Sequence, residues 1–259
     1  MSANDCGRYV YCIAEAGEGF SFGDIGIDDN EVYTLSCDSL CVVVHNCPIE
    51  PYSSDDKDVV RHWVISHQRV VEAALDRFGT VLPMSFDTII RDTDEGSAED
   101  NIRKWFVEKA EDINNNLDRV RGKEEYGVQV FWEPNTIARV ISQTNQEIIT
   151  LEEEIKSKSK GLAYMYKKHL EKILRQEMGE KAENYFKDFY HRIEGCVSEL
   201  KVEKTKTEVD KHMLINFSCL VGKEKTEPLS DELESINKTD GFSVRFTGPW
   251  PPYSFVTVK

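Results

Sequence analysis

Apolar and polar positions alternate with period two over residues 8–14 (RYVYCIA), a stretch rich in β-formers, and this predicts a first strand. Gly17, Gly19, Gly23 and Gly26 then break regular structure. Residues 32–35 and 40–45 predict a pair of strands joined by Ser36-Cys37-Asp38-Ser39. After them the period changes to 3.6. Val60, Trp63, Val64, His67, Val70, Val71, Ala74, Leu75 and Phe78 fall at three- and four-residue steps and predict one helix stripe. Ser53, Ser54 or Asp55 can cap that helix, and Gly79 ends it.

A short strand follows within 80–90, with Leu82-Pro83 as its entry, because proline belongs at an edge or a strand start. Ala98, Ile102, Trp105, Phe106, Ile113, Leu117 and Val120 predict a second amphipathic helix, stopped by Gly122. Residues 126–132 (YGVQVFW) predict a strand with Val128, Val130 and Trp132 on one face. Two such helices can cover one face of a mainly antiparallel sheet, which makes the first half a ferredoxin-like α+β sandwich with an extra hairpin.

Pro134 closes that half. Residues 135–160 are helical in propensity but mostly polar, as a solvated connecting helix or a helical arm would be. From Gly161 a long helical pattern runs to about Leu200, carrying Leu162, Met165, Tyr166, Leu170, Ile173, Leu174, Phe186, Phe189, Ile193 and Val197, with Gly179 as a bend or break. Residues 201–208 and 213–221 predict paired strands, 229–237 a short helix, and 242–246 a last strand. The expected organisation is an N-terminal domain at 1–134, a polar helical connector at 135–160, a smaller α+β domain at 161–246 and a tail at 247–259.

Composition narrows the function classes. The chain of 259 residues is 40% hydrophobic and 31% charged, enough apolar content for packed cores and too much for a wholly disordered chain. A net charge of -15 argues against binding phosphate backbones or anionic lipid surfaces, so neither nucleic acid nor membrane is expected as a partner. No stretch reaches the roughly 20 apolar residues of a membrane span, and residues 1–5 lack a signal-peptide order. Seven cysteines, an odd number in a chain too large to need staples, point to reduced thiols and a cytoplasmic setting.

Several groups invite chemistry. Cys37, Cys41, His45 and Cys47 are the right ligand types for zinc. The C-x3-C-x3-H-x-C spacing is not a standard knuckle, however, and an extended strand would hold Cys41 and His45 roughly 13 Å apart. His67 with Cys12 or Cys41 could be imagined as a cysteine–histidine pair, but no nucleophile turn or oxyanion loop accompanies them. The run G-E-G-F-S-F-G-D-I-G matches neither a dinucleotide fingerprint nor a Walker loop. No cofactor and no metal are expected. The C-terminal prolines and aromatics are different: an extended Pro-rich segment orders cheaply and its aromatics anchor in grooves. Pro249, Trp250, Pro252, Tyr253 and Phe255 are the candidate partner-binding residues, either in a docking peptide or in a tail packed on its own body.

A set of short motifs, in order along nearly the whole chain, resembles the gas vesicle GvpF/GvpL proteins. Gly7-Arg8-Tyr9-Val10-Tyr11-Cys12-Ile13 is similar to the family's G-x-Y-x-Y-G-I opening, with Cys12 in the place of glycine. His67-Gln68-Arg69-Val70-Val71 resembles H-x-x-V-V, and Val81-Leu82-Pro83-Met84-Ser85-Phe86-Asp87-Thr88 resembles V-L-P-x-R-F-G-T, with Ser85 and Asp87 replacing arginine and glycine. Gly161-Leu162-Ala163-Tyr164-Met165 is similar to the start of the long C-terminal helix, and Gly248-Pro249-Trp250-Pro251-Pro252-Tyr253-Ser254-Phe255 to the closing G-P-x-P-P-Y-x-F signature. The resemblance implies a modified ferredoxin-like N-terminal domain and an α+β C-terminal domain. It also implies a non-enzymatic accessory or minor structural role in assembling gas vesicles, in contact with the hydrophobic shell protein GvpA and with other accessory proteins. The competing readings from the residues are a structural zinc protein and a cysteine-dependent enzyme.

Overall fold

The computed structural model describes residues 6–15, 19–205 and 212–256. The chain divides into two compact units: Met1–Glu125 with Pro249–Lys259, and Tyr126–Gly248.

In the first unit, β1 (Gly7–Ala14) is central. β3 (Val32–Cys37) and β4 (Leu40–Cys47) form a hairpin, flanked by the short β2 (Ser21–Gly23). The sheet order is β2-β3-β4-β1-β5, with β5 (Val81–Pro83) and β6 (Ile89–Arg91) both on the far side of β1, and all these pairings are antiparallel. The turn between β3 and β4 is tighter than expected: Cys37 still pairs with Leu40, leaving only Asp38 and Ser39 in the loop.

α1 (Lys57–Phe78) is capped by Asp56, whose side chain accepts from the Asp58 N–H, one residue beyond the expected candidates. Gly79 ends it at φ 78°, a left-handed conformation that favours glycine. The predicted stripe buries His67, Val70, Val71 and Ala74, while Val64 lies at its edge and is exposed. α2 (Ala98–Val120) starts with a Ser97–Asp100 capping box and buries Ala98, Ile102, Phe106, Ile113, Leu117 and Val120 as its spacing predicts.

The two helices do not share a face of the sheet, contrary to the sequence expectation. Successive residues of a strand point to opposite faces. On β1, Arg8 donates to Glu99 of α2 at 2.9 Å, whereas Tyr9 bonds His67 of α1 at 2.9 Å. Both faces of β4 are accordingly buried: Cys41 and Val43 pack in the α1 core, and the intervening Val42 and Val44 are equally inaccessible.

The second unit is built on a sheet of order β10-β7-β9-β8, with β7 (Lys123–Trp132), β8 (Glu199–Val202), β9 (His212–Gly222) and β10 (Phe242–Trp250). The part of the predicted 201–208 strand beyond Thr205 lies outside the described residues. Residues 135–160 are not a solvated connector. They form α3 (Pro134–Thr144) and α4 (Gln146–Ser157), and Ile137, Ile141 and Ile148 enter the unit's core. There they meet Val128 and Val130 of β7, Ile215 and Phe217 of β9, and Leu229 and Ile236 of α6 (Thr226–Asn237).

α5 (Lys160–Cys196) runs unbroken through Gly179 for 37 residues, about 55 Å at 1.5 Å per residue. Its buried residues are Phe189 and Ile193, both in the C-terminal half, while Leu162, Tyr164 and Met165 near its start are exposed. The tail is also not separate. β10 carries it to Trp250, and residues 251–256 then pack in the first unit.

Candidate functional site

The residues suited to chemistry are held in a structural network. Tyr11 Oη lies 2.7 Å from His45 Nδ1 and accepts the Ile27 N–H at 3.0 Å. His45 Nε2 lies 3.0 Å from the Tyr52 hydroxyl. Tyr9 bonds His67 Nδ1, accepts the Asp87 N–H at 2.9 Å and stacks on His45 with centroids 5.0 Å apart. Three loops are thus tied to the middle of β1. Burial holds both imidazoles well below their usual range, at about 4, so they are neutral hydrogen-bonding groups near pH 7.

The zinc reading fails on this geometry. Both ring nitrogens of His45 are engaged by tyrosines, and β4 is extended, so Cys41 and His45, though on one face, are held roughly 13 Å apart along the strand. Among the described residues no group of three or more His, Cys, Asp or Glu could hold a metal ion. The buried thiols Cys12, Cys41 and Cys47 are not poised as nucleophiles either. Burial raises Cys12 far above the ordinary thiol range and pushes Cys41 and Cys47 up to about 11, the opposite of an activated cysteine.

Two surfaces remain that suit binding. The first is an open apolar groove in the second unit, with a volume of about 440 Å3. Trp132, at the end of β7, and Pro134, at the start of α3, form one wall. Leu174, Met178 and Ala182, four residues apart on α5, form the other, with Glu171, Arg175 and His212 at the rim. Leu174 fits the core pattern of the long helix: Leu174 and Met178 are half-buried against the unit's core and turn their remaining surface to the groove. The surrounding charge differs between units. Counted along the sequence, 1–125 with 249–259 carries 26 acidic and 13 basic residues, a net of -13, whereas 126–248 carries 21 and 19, a net of -2. The apolar groove therefore lies on the nearly neutral unit.

The second is the tail. The structure does not present the five predicted partner-binding residues together. Pro252 and Phe255 are buried in the first unit, and Pro249, Trp250 and Tyr253 are exposed. The alternation follows from anchoring: the amide and hydroxyl of Ser254 donate to the two oxygens of Glu125 at 2.8 and 2.5 Å, and Arg119 donates to the Phe255 carbonyl at 2.9 Å. Reading the sequence missed Glu125 and Arg119, which carry no motif and are seen only once the tail is placed.

Comparison with known proteins agrees with this architecture. The family profile described as gas vesicle synthesis protein GvpL/GvpF matches residues 7–257. Gas vesicle protein L1 of Halobacterium salinarum is 29% identical over 96% of this chain and 90% of its own length. Gas vesicle protein L of Haloferax mediterranei is 31% identical over 89% of this chain and 72% of its own. The crystal structure of gas vesicle protein GvpF from Anabaena sp. PCC7120 superposes with a TM-score of 0.77 at 19% identity, covering 98% of this chain and 99% of that one.

Proposed function

This chain belongs to the GvpL/GvpF family of gas vesicle synthesis proteins, and on that premise we propose that it is a non-enzymatic escort that binds the hydrophobic shell protein GvpA during shell formation. It takes part in gas vesicle formation in the company of other gas vesicle proteins. A subunit destined to line a gas space exposes apolar surface that water drives together, so it needs a soluble holder until it is inserted. The observation that carries this reading is the groove of Trp132, Leu174, Met178 and Ala182 on the nearly neutral unit. An amphipathic helix can lay its apolar face there.

The strongly acidic first unit keeps the complex dispersed by like-charge repulsion between complexes. Among the described residues no helix is long and apolar enough to cross a membrane. The holder acts in the cytoplasm and at the growing vesicle. Co-expression with the shell protein tests the proposal. Soluble shell subunit should co-purify with the intact chain and be lost with a Leu174→Asp, Met178→Glu chain.

A further inference from the structure

Residues 249–256 have the form of a bound peptide. Pro251, Pro252 and Phe255 are buried in the first unit, the Glu125 carboxylate accepts two hydrogen bonds from Ser254, and the Arg119 guanidinium sits 6.0 Å from the Phe255 ring centre. Tyr253 places its ring 6.4 Å from that of His67. The segment also shapes itself: the Tyr253 N–H bonds the Pro251 carbonyl at 2.7 Å, and the Phe255 N–H bonds the Pro252 carbonyl at 3.1 Å. Prolines and local turns cut the ordering cost, so little of the bound shape depends on the rest of the chain. The preceding Gly248 has φ 124°, a backbone state open to glycine and strained for other residues.

We propose that the surface formed by Arg119, Glu125 and His67 is a peptide-binding site that also accepts residues 249–256 of a second copy, so that copies join by exchanging tails. An exchanged tail brings the same prolines, the same serine hydroxyl and the same phenylalanine, and therefore remakes every contact that the resident tail gives up. Charge selects this occupant. The first unit carries a net of -13, and residues 246–258 contain no charged side chain, so the tail enters without the repulsion that meets the chain's many acidic stretches. The resident tail competes as an intramolecular ligand, so exchange grows as the concentration of chain rises.

Two measurements test this. The full-length chain with Ser254→Ala and Phe255→Ala, whose own tail is loosened, is titrated with a fluorescein-labelled synthetic peptide of residues 249–256. Saturable binding with Kd below about 1 mM, weakened at least tenfold by adding Glu125→Ala, is expected; no saturable binding overturns the site. The full-length chain with Tyr253→p-benzoylphenylalanine is then prepared in ordinary and 15N-labelled forms, mixed at rising concentration, and irradiated. Cross-links from an unlabelled tail to labelled α1, growing with concentration, are expected. Cross-links confined to single-isotope pairs, or none at all, overturn the exchange. Neither readout involves the shell protein.

Discussion

The Asp87 carboxylate accepts the backbone N–H of Tyr52 at 3.0 Å. Asp87 itself has φ 68°, the left-handed region that favours glycine. In the V-L-P-x-R-F-G-T pattern that this stretch resembles, glycine stands here; Asp87 takes up a glycine-like conformation while its side chain adds a bond that glycine cannot make. Aspartate tolerates the left-handed region better than most residues. Asp87→Gly should therefore change stability by less than about 1 kcal/mol, since relief of strain offsets the lost bond. Asp87→Val loses the bond and keeps the strain, and should cost about 2–4 kcal/mol. Urea unfolding of the two variants checks the contrast, and equal losses would contradict it.

The paired imidazoles make stability depend on pH. His45 and His67 sit at about 4 in the fold, below the ordinary histidine value, because burial disfavours their charged forms. The unfolded chain takes up protons first as pH falls below about 6.5, so stability present at neutral pH is lost between there and about 4. Each histidine accounts for roughly 3 kcal/mol over that window. His67→Gln should be less stable at pH 7.5 and lose less on acidification than the intact chain. Parallel pH profiles of Tm would show that His67 is not part of the response.

The thiols should separate cleanly by reactivity. Cys6 is exposed, whereas Cys12 and Cys41 are fully buried with thiols pushed well up. Iodoacetamide at pH 7.5 should label Cys6 first and leave Cys12 and Cys41 unmodified until the chain unfolds. Fast labelling of either buried cysteine in the folded chain would contradict this order and favour the cysteine-dependent reading.

Two glycines should respond to alanine with opposite signs. A Cβ on Gly26 would lie 2.7 Å from the Asn30 carbonyl oxygen and 2.9 Å from the Tyr11 hydroxyl, in the loop tied to His45. Gly26→Ala should cost about 2 kcal/mol or more. At Gly179, inside α5, a Cβ meets nothing within 4 Å, and Gly179→Ala should stabilise by about 0.5–1 kcal/mol. Thermal unfolding of both variants decides it.

Much of this was legible from periodicity. The α1 stripe through His67 and Ala74, the α2 stripe from Ala98 to Val120 and the alternation of Val128 and Val130 are local patterns, and local patterns survive folding. Side-chain period does not say which face of a sheet a helix will take. Only the divergence of Arg8 and Tyr9 toward α2 and α1 reveals the two-sided arrangement. Ile137, Ile141 and Ile148 were masked by their charged neighbours, because a narrow apolar stripe on a polar helix looks solvated until a core is found for it. The tail's anchors were not legible, since Glu125 and Arg119 are far from it in sequence. The groove was hidden for a related reason: Leu174 and Met178 share the pattern of core residues, and only the packing shows that they are half-buried and leave apolar surface open.

The central claim is that the groove on the second unit holds the hydrophobic shell subunit. The most direct measurement is co-expression of tagged full-length chain with the shell protein, followed by quantification of shell subunit in the soluble eluate. Intact chain is compared with Leu174→Asp, Met178→Glu and with an exposed control, Val107→Glu, on the first unit. The account predicts soluble shell subunit with the intact and control chains and at least a tenfold loss with the groove variant, all three folded by circular dichroism. Equal recovery by the groove variant would place the interaction elsewhere, and no recovery by the intact chain would contradict the escort role itself.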